Sequence, residues 1–251
     1  RHLMPPINIR LLNARYGLQT LFRAGTPRIF VNSIPKSGTN LAVSLAMAFG
    51  RMHVSGPVIS DRVSSDLFAR RRGLIFGHVE NATATTAGLG LDAQFLLVRA
   101  PVDYARSLVR YIESNSRHPA HRLFENETPE VIFRAVIEGI STDRFKLLSV
   151  ADRYRGYIAA AQQAGAGIID FSDLSAGAPN GGAAEEFLNI IGGKNWRDRL
   201  QTALERSKET STTFKHSQRS TFGRDFGSDL RAHPLLSEAE AIYENALCRR
   251  T

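Results

Sequence analysis

Four short apolar segments separated by longer stretches of helical periodicity predict an α/β domain: a central parallel sheet with helices on both faces. The segments Arg28–Ile34, Gly73–Phe76, Gln94–Val98 and Ala166–Phe171 are apolar or β-branched and of strand length. The third is almost wholly apolar, the composition of a strand covered on both sides. No internal repeat interrupts this alternation. With 251 residues, 43% of them hydrophobic, one large domain over 1–251 is expected. Arg1-His2-Leu3-Met4 reads as a vector-derived scar without structural weight.

In chain order, the first strand runs into Pro35-Lys36-Ser37-Gly38-Thr39-Asn40, and Leu41 to Phe49, rich in Ala, Leu and Met, reads as the following helix. Met52 to Arg72 reads as a variable segment before the strand that precedes His78. After the third strand, Pro101 stands where a first helical turn tolerates proline, and Tyr104, Leu108, Tyr111 and Ile112 recur at helical spacing up to Ser114. Asn115 to Thr128 is aperiodic and reads as a surface loop, and helices are predicted at Pro129–Glu138 and Asp143–Ala164. The last strand leads into a flexible Ala/Gly/Pro/Asn run from Ser175 to Gly182, then helices at Ala183–Ile191 and Trp196–Lys208. Thr210 to Pro234 is polar and irregular, as in a functional flap, and a final helix is predicted near Ser237–Leu247.

Thirty-two basic against 24 acidic side chains give a net charge of +8, which suits a partner carrying phosphate or sulfate and equally suits solubility. The lone Cys248 excludes an internal disulfide framework and a CxxC metal knuckle, so a reducing compartment is the simpler expectation. No uninterrupted apolar run approaches the roughly 18 residues of a membrane helix, and no signal peptide is expected. A cytoplasmic location is therefore the default expectation, with no stable membrane insertion.

A strand that ends in a tight loop and opens a helix presents free backbone N–H groups and the positive end of the helix dipole. Lys36, Ser37, Thr39 and Asn40 add side-chain donors around that anion site, and an ordinary capped turn is the plainer reading of the same residues. The loop is shorter than GxxxxGK[ST], and its Lys precedes the Ser-Gly-Thr. Arg99 closes the third strand and Ser107 lies two turns into the next helix. A guanidinium and a hydroxyl so placed can clamp a terminal phosphate at a sheet's carboxyl edge, and a surface ion pair of Arg99 with Asp103 is the alternative.

Pro35-Lys36-Ser37-Gly38-Thr39-Asn40 resembles the 5'-phosphosulfate loop, PKSGT[TN], of the sulfotransferases that use PAPS (3'-phosphoadenosine 5'-phosphosulfate). Arg99-Ala100-Pro101-Val102-Asp103-Tyr104-Ala105-Arg106-Ser107 resembles that family's 3'-phosphate segment, R-x-P-x-D-x-x-x-S. Phe171-Ser172-Asp173-Leu174 with Glu186-Phe187-Leu188 is similar to its Y-E-D-L segment and following helix, and Thr212-Thr213-Phe214-Lys215 to its T-S-F-K segment. Ser220 to Gly227 loosely resembles the late Arg-Lys-Gly flap. The resemblance spans about Arg28 to Arg231. It implies a P-loop-like sulfotransferase fold, PAPS as donor and PAP (adenosine 3',5'-bisphosphate) as product. It also implies that Lys36, Ser37, Gly38, Thr39, Asn40, Arg99, Ser107, Thr212, Phe214 and Arg224, with Arg219 as alternative to Arg224, hold the nucleotide.

The acceptor must lose a proton as it attacks sulfur, so a general base is required. His78 follows a short strand and resembles the family's K-T-H histidine; a histidine bonded to backbone is the plainer reading. Phe76 stands where many members carry lysine, which leaves Lys36 to act largely alone on the bridging oxygen, and Glu80 is the reserve base. No metal is required, because Lys36 and loop N–H groups can neutralise the leaving phosphate. Two other function classes fit part of this pattern. A small-molecule kinase needs Walker spacing and a Mg²⁺-holding carboxylate, and a noncatalytic polyanion-binding module needs clustered basic residues, whereas only Arg70-Arg71-Arg72 forms a run. The expected acceptor is a small molecule or glycan, not nucleic acid; its identity and the oligomeric state are not legible.

Overall fold

The structure is a computed structural model that describes residues 26–52, 54–58, 72–80, 86, 90–143, 145–177, 179, 182–210, 230 and 232–248. Its strands are β1 (Arg28–Ser33), β2 (Val54–Val58), β3 (Gly73–Gly77), β4 (Ala93–Val98), β5 (Ile140–Ser141), β6 (Lys146–Leu147) and β7 (Gly167–Asp170). Its helices are α1 (Thr39–Phe49), α2 (Pro101–Ser114), α3 (Pro129–Glu138), α4 (Val150–Gln163), α5 (Phe171–Ser175), α6 (Gly182–Gly192), α7 (Trp196–Thr210) and α8 (Pro234–Cys248).

Five strands pair in parallel in the order β2-β3-β1-β4-β7. Strand side chains alternate between faces, so each strand feeds two cores. Ile29, Val31, Leu74, Phe95, Leu97 and Ile169 meet α1, α6 and α7 through Leu45, Phe49, Phe187, Ile191 and Trp196. Leu96, Val98 and Ile168 meet α2, α3, α4 and α8 through Tyr104, Ile112, Phe133, Tyr154 and Leu236. The fold is thus the expected α/β architecture, with helices on both faces of a parallel sheet. Among the described residues, no helix is long and apolar enough to cross a membrane.

Three boundaries differ from the sequence expectation. Within the segment read as variable, Val54–Val58 forms β2 at the sheet edge; its Gly56 and Pro57 mask a strand signal because proline is tolerated chiefly on edges. The helix expected from Asp143 begins at Val150, where Ser149 caps it by accepting from the Asp152 N–H at 3.1 Å, and β5 and β6 form a two-residue antiparallel pair before it. Phe171, expected in a strand, opens α5.

Topology places the site. The chain leaves β1 toward the β2 side and leaves β4 toward the β7 side, although β1 and β4 are neighbours. Their carboxyl ends therefore bound the crevice where loops part in opposite directions, the usual ligand position in such sheets. A two-bond side-chain clamp fixes one wall of that crevice: Asn32, buried in β1, donates to the Val79 carbonyl at 2.8 Å and accepts from the Val79 N–H at 2.9 Å. This extends the β1–β3 pairing past the strand end and anchors the residue next to His78.

Asn32→Ala leaves both Val79 groups without partners in a buried site, so thermal or urea unfolding is expected to show a loss of about 2 kcal/mol or more. A loss below a few tenths would show that water replaces the clamp at no cost.

Candidate anion-binding active site

The loop after β1 turns sharply because two residues adopt left-handed backbone: Lys36 at φ 73° and Gly38 at φ 105°. Such a conformation is unusual for lysine and carries local strain of the kind found at ligand sites. At Gly38 the reason for glycine is also spatial, since a Cβ there would run into the Phe171 ring. The Ser37 N–H closes the turn onto the Ile34 carbonyl at 3.0 Å, while the N–H groups of Lys36, Gly38 and Thr39 find no acceptor among the described residues. Ser37 is fully buried and its hydroxyl has no hydrogen-bond partner among the described residues. Together with the α1 N-terminus, these groups form a cradle of unsatisfied donors. Thr39 is tied by its hydroxyl to that of Ser33 at 2.5 Å, so its side chain braces the loop. The Asn40 side chain is exposed at the start of α1.

Lys36 is half-buried, and its ammonium lies 3.1 Å from the centre of the Tyr111 ring. Burial lowers its pKa to about 8. An ammonium that is costly to keep charged gains from an arriving anion, which makes this lysine responsive to phosphate or sulfate.

His78 stands at the carboxyl end of β3, across from this loop. Its Nδ1 lies 3.0 Å from the Ser33 carbonyl oxygen and 2.9 Å from the Ser33 hydroxyl. A carbonyl only accepts, so Nδ1 carries the proton and Nε2 bears the lone pair. The plainer reading of His78, a histidine bonded to backbone, thus holds for one nitrogen and leaves the other as a base. Burial pushes its pKa below 6.5, with Lys36 and Arg153 adding to the effect and the Ser33 carbonyl opposing it. The lowered pKa favours the neutral form, the one that can accept a proton. Glu80 is exposed two residues on.

Arg99 leaves β4 with its guanidinium 4.7 Å from the centre of the Phe171 ring, and its carbonyl accepts from the buried Tyr154 hydroxyl at 2.5 Å. The alternative reading of Arg99, an ion pair with Asp103, is not what the structure has: Asp103 bonds Arg106 at 3.5 Å, one turn along α2. Arg99 makes no ion pair among the described residues, and burial lowers its pKa. Ser107 is half-buried on α2, with no hydrogen bond to Arg99 among the described residues. Phe171 thus touches both halves of the site, and its importance was not legible from its place in a four-residue motif. Tyr111, Tyr154, Ser33 and Arg153 were likewise missed; their periodicity or polarity gave no cue beyond ordinary packing. Thr212, Phe214, Arg219 and Arg224 lie outside the described residues.

Anion binding is expected to recharge Lys36. At pH 8.5, calorimetric titration with inorganic pyrophosphate in buffers of different ionisation heat should show net proton uptake, and Lys36→Met should abolish it. Binding without proton uptake by the unmodified protein would place the anion away from Lys36.

No protein-family model matches the chain, and no curated protein matches it. Among solved structures, the chain aligns with mouse sulfotransferase SULT7A1 complexed with PAP at 15% identity and a TM-score of 0.49, over 94% of this chain and 88% of that one.

Proposed function

We propose that this chain moves a sulfuryl group from PAPS to an acceptor hydroxyl or amine. The observation that carries the reading is the juxtaposition of two anion-seeking groups on one aromatic ring: Gly38, in the donor-rich Lys36 loop, packs against Phe171, and the Arg99 guanidinium lies over it. The loop suits a 5'-phosphosulfate, and Arg99 with Ser107 suits a separate 3'-phosphate, two charges that a donor of this class carries at once. The unsatisfied Ser37 hydroxyl and loop N–H groups fit such an anion. Thr212 and Phe214 are proposed to hold adenine, and Arg224, or Arg219, to close over the 3'-phosphate.

In this reading His78 Nε2 accepts the proton of the acceptor hydroxyl as the acceptor's oxygen–sulfur bond forms. The bond from sulfur to the bridging oxygen breaks at the same centre, and the electron pair stays on the departing phosphate. Lys36 and the loop N–H groups neutralise that charge. Ser33 keeps the His78 tautomer throughout. Glu80 is the reserve base, and the proposed acceptor is a small molecule or glycan, not nucleic acid.

PAP is expected to raise the melting temperature more than ATP with Mg²⁺ or adenosine 5'-phosphosulfate at equal concentration, because selective binding stabilises the folded state. Equal or greater stabilisation by ATP would favour phosphoryl transfer.

Arg99→Ala should weaken PAP binding by about ten- to a hundredfold, the worth of one charge-assisted contact, and leave adenosine 5'-phosphosulfate nearly unaffected. Identical losses for both would remove Arg99 from the 3'-phosphate.

His78→Ala should lower turnover about a hundredfold to ten-thousandfold with PAP affinity intact. Because the His78 pKa is lowered from 6.5, the acid limb of kcat/KM should fall below pH 6.5. A near-normal rate in His78→Ala beside a dead Glu80→Gln would transfer the base role to Glu80.

A further inference from the structure

Arg153 is a buried cation that the proposed donor site does not use. It lies on α4 next to Tyr154, whose hydroxyl reaches the Arg99 carbonyl just past the end of β4, so the first turns of α4 stand at the carboxyl edge of the sheet. The residue is 8% exposed, and its Nε is buried without a hydrogen-bond partner among the described residues. No carboxylate among the described residues forms an ion pair with it. Its positive charge bears on two groups at that edge, His78 and the buried Tyr104, and Tyr104 is also influenced by Glu80. Glu80 itself makes no ion pair with Arg153.

A guanidinium held in a protein interior without a counter-charge is costly, and such groups are normally paired. The next residue has an evident task, since Tyr154 bonds the Arg99 carbonyl. Arg153 has none among the described residues. It lies near the base and not among the groups assigned to the donor's two phosphates.

We propose that Arg153 is the specificity-determining receptor for an oxyanion carried by the acceptor, a carboxylate or phosphate on the same small molecule whose hydroxyl or amine faces His78. This rests on the sulfuryl-transfer reading above and narrows it to acidic acceptors. The same guanidinium could alternatively serve the transferring sulfuryl oxygens, and donor affinities separate the two sources.

The test compares the unmodified protein with Arg153→Met and Arg153→Lys. Calorimetric titration of the PAP-saturated protein with 4-hydroxybenzoate and 4-hydroxybutyrate, each against its methyl ester, should show a preference of about tenfold or more for at least one acid. Arg153→Met should erase that preference, Arg153→Lys should retain part of it, and PAP affinity should be unchanged in both. The melting temperature of ligand-free Arg153→Met should be equal or higher, since a buried unpaired charge is removed. Absence of any acid preference in the unmodified protein, or a preference that survives Arg153→Met, overturns the proposal. A lower melting temperature with unaltered acid preference would make Arg153 a structural residue. A loss of PAPS affinity relative to PAP in Arg153→Met would assign the guanidinium to the sulfuryl group instead. Failure of PAP to bind the unmodified protein would sink the donor reading, and the acid preference remains readable on the free protein.

Discussion

The Phe171 ring is the contact on which the rest of the site depends. It opens α5 at the end of β7, and from there it packs against Gly38 and lies beneath the Arg99 guanidinium. The two halves of the crevice come from different strands, β1 and β4, and the ring fixes their spacing. Only a residue without a Cβ permits this approach, and only left-handed backbone at Lys36 and Gly38 bends the loop tightly enough to meet it. The backbone strain is thus offset by packing on a rigid sheet edge.

Around that contact, polar groups divide into those that are satisfied and those left open. Asn32 and Ser33 spend their side chains on the His78–Val79 segment, and Thr39 is tied to Ser33. These bonds hold His78 and the loop in register. Ser37 Oγ, the loop N–H groups, Arg99 and Arg153 are left without protein acceptors among the described residues. Buried donors without partners cost stability, and their convergence on one edge of the sheet is what supports the proposed anion site. The lowered pKa values of Lys36 and His78 have the same origin, since burial without counter-charge disfavours each protonated form.

Much of this was legible in the sequence because it was local. An apolar run followed by Lys-Ser-Gly-Thr specified β1, the loop and α1, and Arg99 was legible as the last residue of an apolar strand. What was not legible depended on distant packing. Phe171 read as the end of a strand because no glycine or proline separates it from Ile168-Ile169-Asp170; its role follows only from the neighbouring loop. Tyr111 fits a helical repeat, yet it is partly exposed and receives Lys36. Arg153, within Val150-Ala151-Asp152-Arg153-Tyr154, has the polarity of a surface position, and nothing in that pattern signals burial. Edge strand β2 was hidden by Gly56 and Pro57.

The most direct test of sulfuryl transfer is incubation of the protein with PAPS labelled in its sulfuryl group and pooled acceptors representing sugars, phenols, amines and hydroxy acids. Label is expected to appear in one acceptor class, with one PAP released for each sulfuryl group transferred. PAP binding without label transfer to any class, or transfer of labelled γ-phosphate from ATP to the same pool, would contradict it.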